Sequence, residues 1–336
     1  MARLTILTLL LLSLNCSGCR RLQGVCPSGV IEGSLAIHNG EVTTFNNLAW
    51  EEDWGPIEDV PLNKCRTVRG DLWITDGMRE LRKLNAIEEV AGVITFLDVT
   101  GDQGALRDIF PALRTASGLR GAQAVGRFDV MPGFGSLVSI GFIQDDGFGA
   151  AGFEGFERLE NADSVKLNAA GTLPAFSSLA RVTRLELHGG GAHLELASLE
   201  AAGTIYLAQL LSARVSFPSL STVDDFQLFN SIGVVGLELP LVTRLTRMHL
   251  GGVMRLTQIS LPLLSSVEGD LAVLGTGVAD LRGLPLVGTV GGDLFITDNY
   301  QLGEQAVVGF LAHVQVGRGT YVCRNQGMPN GTRCEP

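Results

Sequence analysis

Leu264-Ser-Ser-Val267-Glu-Gly-Asp-Leu271-Ala-Val273 is followed by Val287-Gly-Thr-Val290-Gly-Gly-Asp-Leu294-Phe-Ile296, the same phrase 23 residues on. Each sets two apolar residues three apart, then a Gly-Asp step, then an apolar-x-apolar strand core. Cys65-Arg-Thr-Val68-Arg-Gly-Asp-Leu72-Trp-Ile74 is an earlier copy. The middle copies are one residue shorter: Leu179-Ala-Arg-Val182-Thr-Arg-Leu185-Glu-Leu187 and Leu220-Ser-Thr-Val223-Asp-Asp-Phe226-Gln-Leu228. Marking the first strand-core residue gives Leu35, Leu72, Ile94, Leu119, Ile140, Val165, Leu185, Ile205, Phe226, Met248, Leu271 and Leu294. From Leu72 the steps are 22, 25, 21, 25, 20, 20, 21, 22, 23 and 23. A near-constant period with one short strand per repeat reads as a solenoid, because a lone repeat cannot bury its own apolar face.

Composition agrees with many short strands and turns. The chain has 336 residues, 46% hydrophobic, with 43 Gly and only 12 Pro. Twenty-five Lys+Arg against 35 Asp+Glu give a net charge of −10, leaving no basic stripe for nucleic acid. A short Phe/Leu-Pro phrase often precedes the motif, as at Phe110-Pro111, Phe217-Pro218, Leu239-Pro240, Leu261-Pro262 and Leu284-Pro285; Pro ends the preceding segment and fixes a turn. Twelve coils stacked at strand spacing predict a rod of about 55–60 Å.

The first 18 residues read as an export signal: Met1-Ala2-Arg3, then an apolar run from Leu4 to Leu14, far short of a membrane span. Ser17-Gly18-Cys19 resembles the bacterial lipobox, with Cys16 where Leu is usual, and this implies a lipid anchor on Cys19. Ordinary cleavage after Gly18, giving a free secreted chain, is the alternative. Either way export is expected: to the bacterial cell envelope as an outer-membrane lipoprotein, surface or periplasmic, in the lipobox reading, and otherwise secretion. Residues 19–25 are then an anchor or linker. Export makes Cys26, Cys65, Cys323 and Cys334 disulfide candidates with three possible pairings. The local pairings Cys26–Cys65 and Cys323–Cys334 would staple the two ends.

Val-x-Gly-Asp-Leu-x-Ile, Cys26…Cys65-x-x-Val68-x-Gly70-x-Leu72 and Asp298-Asn299-x-x-Leu302 resemble the receptor L-domain, a relative of leucine-rich repeats. The resemblance covers roughly 60–100 and 215–302. It implies a right-handed β-helix and a habit of binding, and it brings no catalytic residues. A plain leucine-rich repeat is the near neighbour, but most of its Asn ladder is missing, Asn230 and Asn299 excepted. The expected fold is thus mainly β, a single right-handed solenoid of about 12 coils. Residues 26–65 form an N-terminal cap, 66–302 the repeats and 303–336 a C-terminal cap with a short helix over Gln305–His313.

Several motifs dissolve in context. Gly147-Phe-Gly149-Ala-Ala-Gly152 matches GxGxxG but opens no helix. His188-Gly189-Gly190-Gly191 lacks a G-x-S-x-G partner. Arg69-Gly70-Asp71 occupies the same repeat position as Glu268-Gly269-Asp270. His188 and His193 are badly spaced for a metal on one helix face, and Asn330-Gly-Thr332 is a glycosylation sequon only in a eukaryotic host. No cofactor, metal site or catalytic residue is expected.

With the strand cores inward, the residue between them points outward. That column reads Trp73, Thr95, Arg120, Gly141, Lys166, Glu186, Tyr206, Gln227, His249, Ala272 and Phe295. The position before the core adds Arg184, Thr204, Asp225, Arg247, Asp270 and Asp293, with Arg247 expected between Asp225 and Asp270. Lys166, Glu186, Tyr206, Asp225, Gln227, Arg247, His249 and Asp270 are therefore the candidate ligand-binding set, for a cell-surface protein or a polysaccharide. The same residues also suit a solvated face whose charges pair across strands. Trp50-Glu51-Glu52-Asp53-Trp54 reads as a loop, either capping the N-terminal edge or docking a partner through Trp50 and Trp54. A carbohydrate-active enzyme built on Asp225, Asp270, Arg247 and His249, and a structural envelope protein, are the competing classes.

Overall fold

A computed structural model describes Cys26 and residues 28–38, 41–46, 49–56, 59–75, 81–97, 110–122, 134–145, 155–172, 176–191 and 193–327. The leader, the anchor position Cys19, the glycine phrase at 147–152, Cys334 and the sequon all lie outside those residues.

The repeat marker is the spine of the fold. Parallel pairing joins Leu35 to Leu72, then Ile94, Leu119, Ile143, Val165, Leu185, Ile205, Phe226, Met248, Leu271 and Leu294 in one column. All twelve are at most 1% exposed, so a single hydrophobic core runs the length of a β-solenoid. One marker needs correction. Ile140 pairs with Ala116 and Ala162, while Ile143 pairs with Leu119 and Val165. Ile140 and Ile143 are both apolar and three apart, the spacing between the entry residue and the core. The corrected steps around it are 24 and 22, and the outward residue on that rung is Gln144, which pairs with Arg120 and Lys166. Leu72 to Leu294 makes about 10 regular turns. The flanking steps differ, one holding a hairpin and the other a helix.

The main sheet runs the length of the solenoid; between His193 and Ser260 the turns add a second sheet of short strands (His193–Glu195, Arg214–Ser216, Gly236–Glu238, Gln258–Ser260), and between Arg244 and Val316 a third (Arg244–Leu245, Ser266–Val267, Thr289–Val290, Gln315–Val316). The shorter middle copies explain themselves here. Without the Gly-Asp insertion the backbone stays extended from the entry residue through the core, as in Asn161–Thr172 and Arg181–Gly191. Where Glu-Gly-Asp intervenes, the strand breaks into Ser266–Val267 and Leu271–Leu274.

Corners repeat as faithfully as strands. Gln209, Asn230, Gly252, Gly275, Asp298 and Arg324 each follow a main-sheet strand with φ between 46° and 65°, a left-handed bend that Gly, Asn and Asp adopt most readily. Before the entry residue, Phe110, Phe134, Phe156 and Phe176 stack at centroid spacings of 5.5–5.8 Å inside the core. Their carbonyls accept from the N–H three residues on. The buried apolar residue, rather than Pro, is the constant of that corner.

A buried polar column replaces a long Asn ladder. Thr276, Asn299 and Asn325 are buried on successive rungs, Asn299 accepting from the Thr276 N–H (2.9 Å) and Asn325 from the Asn299 N–H (3.0 Å), while the buried Ser231 two rungs earlier accepts from the Leu210 N–H. Asn230 is not in it; it is exposed at the left-handed bend.

The ends are closed differently. At the N-terminus a hairpin, Glu41–Asn46 against Ala49–Pro56, pairs antiparallel with Ser34–His38. Trp50 and Trp54 therefore sit on a strand instead of a loop, and their side chains lie outside the described ones. A disulfide joins Cys26 to Cys65. At the C-terminus Thr320–Cys323 adds the last parallel rung, and the helix Glu304–Leu311 buries Val307 and Phe310. Cys323 is disulfide-bonded; its expected partner, Cys334, is outside the described residues.

Candidate functional site

The outward column expected from sequence exists as one continuous register: Trp73, Thr95, Arg120, Gln144, Lys166, Glu186, Tyr206, Gln227, His249, Ala272, Phe295 and Tyr321 pair in turn. Gln144 replaces Gly141 for the reason given above. Six of the eight candidate ligand-binding residues share a half-buried surface between Lys166 and His249 with contacts of their own; Gln227 pairs between Tyr206 and His249, and Asp270 has another task.

Asp270 turns its carboxylate into the fold. Its Oδ1 accepts from the Asp293 N–H at 2.8 Å, Asp293 Oδ1 accepts from the Gly319 N–H at 2.7 Å, and Asp71 Oδ1 accepts from the Val93 N–H at 2.8 Å. The Gly-Asp step is thus a device that stitches one rung to the next where the strand is broken. Arg69-Gly70-Asp71 belongs to the same device. Arg247 consequently pairs on one side, its Nε 3.5 Å from Asp225 Oδ1; that oxygen is buried and has no hydrogen-bond partner.

Glu186 is the electrostatic centre. Arg184 Nη2 donates to its Oε2 at 2.9 Å, His188 Nε2 lies 2.9 Å from its Oε1, and Lys166 Nζ is 3.7 Å from Oε1. Burial alone would raise the Glu186 pKa, but the bonds from His188 and Arg184 and the charges of Lys166 and Arg184 outweigh it and hold the pKa below its usual value. This shift runs opposite to the raised pKa that the general acid of glycoside cleavage uses. His249 is also lowered, first by burial and then by Arg247, with Asp270 and Asp225 opposing.

Sequence reasoning placed two of the four rings of this surface, Tyr206 and His249, and missed His188 and Phe229. His188 meets Tyr206 at 5.4 Å between ring centroids, Tyr206 meets Phe229 at 5.8 Å, and Phe229 meets His249 edge-on at 4.5 Å. Tyr206 and His249 occupy the expected column. His188 and Phe229 stand two residues further on, still outward by strand alternation. The signal was available: the main-sheet strands run past the core, so a second outward column follows the first. Further exposed apolar side chains fall at two corner positions of the repeat, Leu211, Ile232, Met254 and Tyr300 at one and Leu241, Leu263 and Leu286 at the other.

Beside Glu186 the face dips into a cavity of about 200 Å³, lined by Phe142, Gln144, Ser164, Lys166, Arg184 and Glu186. A larger hollow of about 450 Å³ lies at the strand entry, walled mostly by small side chains such as Gly141, Ala162, Thr183 and Gly203. Among the described residues no cluster of His, Cys, Asp or Glu is arranged to hold a metal ion, and no helix is long and apolar enough to cross a membrane.

Comparison with family descriptions, with curated proteins and with solved structures finds no match for the chain. The class is therefore defined by the molecule's own architecture, a parallel β-solenoid carrying an aromatic and charged outer face.

Proposed function

We propose that the chain is an exported, lipid-anchored binding protein of the bacterial cell surface, an adhesin in the broad sense. Its ligand, a glycan or a protein, lies on the outer face of the main sheet between Lys166 and His249. The observation that carries this reading is the row His188–Tyr206–Phe229–His249, four rings in sequential contact on a half-buried face. Rings held by their neighbours give up little freedom on binding, and they combine apolar area with polar edges, the character of residues that dominate recognition surfaces. The ionised Glu186 and the Asp225–Arg247 pair on either side supply directional hydrogen bonding. The receptor L-domain resemblance supports the same reading, and the Cys26–Cys65 disulfide is in keeping with an oxidising compartment.

The test has two arms. Wild type and a Tyr206→Ala/Phe229→Ala variant are compared on arrays of envelope glycans and surface proteins. A loss of at least tenfold in the variant at unchanged thermal midpoint is expected; equal binding overturns the assignment of the face. For the anchor, Cys19→Ser should move the protein from the detergent phase to the aqueous phase of a bacterial lysate, and unchanged partitioning refutes lipidation.

A further inference from the structure

The cavity beside Glu186 refines the ligand. Arg184 and Lys166 both face one carboxylate, so two permanent cations share a single negative charge. Glu186 is 14% exposed at its side chain, against 41% for Lys166 and 56% for Arg184. The acid is therefore shielded while both cations keep outward-facing N–H groups. Arg120 joins them one rung beyond Gln144, in the same column as Lys166. It lies over the Phe142 ring at 5.6 Å and reaches Gln144 Oε1 at 3.4 Å. Asp145, the acid next to Gln144, is buried with its Oδ2 accepting from the Asn168 N–H. On a chain of net charge −10, this end of the face presents Lys166 and Arg184 at a hollow that also offers Gln144 and Ser164, with Arg120 two rungs from Lys166 in the same column.

Resting on the reading that this face is the binding surface, we propose that the cavity takes the anionic group of an acidic sugar within a linear glycan. The chain's neighbouring rings would lie over Tyr206, Phe229 and His249. Three features favour a glycan over a peptide. The polar groups and rings follow one another rung by rung, at a spacing of roughly 4.8 Å that one pyranose unit spans. The rings are half-buried and set at angles to one another, and together they offer an apolar area of the kind that packs against the apolar side of a sugar. The hollow, about 200 Å³ and lined by polar groups beside Phe142 and Ile143, is sized for a carboxylate with its ring hydroxyls. Arg184, whose Nε and Nη2 already donate to Glu186 Oε2, keeps the Nη1 end of its guanidinium as a donor, and Lys166 supplies a point charge, both matched to an oxyanion. A protein ligand is an outcome the test can return.

The experiment measures retention of the purified chain on immobilised polygalacturonate, alginate and hyaluronate, and on their carboxyl-reduced, neutral forms. At least one acidic polymer is expected to bind about tenfold more tightly than its reduced form, with the advantage shrinking as salt screens the charges. Lys166→Gln/Arg184→Gln should abolish the preference, bringing retention on the acidic polymer down to that on its reduced form. Lys166→Gln alone, at an exposed position, should lower it partly and guards against misfolding of the double variant. Tyr206→Ala should weaken both forms. Equal affinity for acidic and reduced polymers overturns the acidic-sugar assignment while leaving the face as a glycan site. Retention on none of the polymers overturns the glycan assignment, and a Tyr206-dependent protein ligand found on the array would then replace it.

Discussion

Gly292 and Asp293 show what two adjacent side chains do in a stacked coil. A Cβ on Gly292 would run into Asp270 Oδ1 and come within 2.7 Å of the Gly269 carbonyl carbon, so only glycine lets this rung settle on the one before. The residue after it then closes the gap, its N–H bound by Asp270 and its carboxylate binding Gly319. Gly292→Ala is expected to cost about 1–3 kcal/mol through overpacking, and Asp293→Ala about 1–3 kcal/mol through the half-buried N–H left without an acceptor. Asp293→Asn, which keeps an acceptor oxygen, should cost less; urea midpoints of the three variants check the order. Glu186 offers a pH test of the charged centre. Its pKa is lower in the folded chain than its ordinary value of 4.5, so the unfolded chain takes up a proton first as pH falls. The stability Glu186 contributes is complete at neutral pH and is lost as pH falls from about 4.5 through its folded value. Wild type should exceed Glu186→Gln in stability at pH 7, and the gap should narrow on acidification into that range; a gap that widens would contradict the Arg184–Lys166–His188 arrangement.

At the scale of the strand, inward and outward positions carry opposite expectations. Leu271 is 1% exposed in the continuous core, whereas Gln227 stands on the outer face between Tyr206 and His249. Leu271→Asp would bury an unpaired charge among the columns and should cost at least about 3–5 kcal/mol. Gln227→Glu, on a wet surface, should shift stability by no more than about 0.5 kcal/mol. Comparable losses in thermal melts of the two variants would refute the assigned faces. The same alternation decided what was legible beforehand. Apolar-x-apolar cores recur on a near-constant period, so the columns and most of the outward register could be read directly, and the helix expected over Gln305–His313 is found at Glu304–Leu311. Ile140 misled because Ile140-x-Phe142 mimics the apolar-x-apolar core, while the true core residue, Ile143, lies three residues further on. Phe229 and His188 were overlooked because the expected strand was cut at its core, while the real strand continues to the left-handed corner. The hairpin was unreadable for a different reason. Glu51-Glu52-Asp53 has poor intrinsic strand preference, and its pairing is imposed by Glu41–Asn46, which an isolated motif does not reveal. Asp270 read as a ligand-facing acid because a sequence does not show that the next rung's N–H is within its reach.

For the whole molecule, stability is a sum of neighbouring contacts along one axis, so its ends matter more than they would in a compact domain. Each rung is held by the one before and the one after, and a terminal rung has only one such partner. The Cys26–Cys65 disulfide closes a separation of 39 residues that spans the first strands and the hairpin. It clamps Val30–Ile31 onto Thr67–Val68, where the Gly29 carbonyl also accepts from the Arg66 and Thr67 N–H groups. On chain-entropy grounds a loop of that length is worth about 4 kcal/mol. In a globular domain such a loss would lower one global transition. Here it should act locally, freeing the cap and the first rungs while the coils from Val165 to Leu294 keep their neighbours and their buried columns. Cys26→Ser/Cys65→Ser is therefore expected to speed amide exchange and proteolysis across residues 28–97 by at least tenfold, with protection from Val165 onward little changed. The binding face between Lys166 and His249 should survive with it, so ligand affinity of the variant is expected to match wild type at temperatures where the N-terminal rungs have already frayed. Uniform loss of protection along the chain would instead mean that the rod unfolds as a single cooperative unit, with the cap as its nucleus.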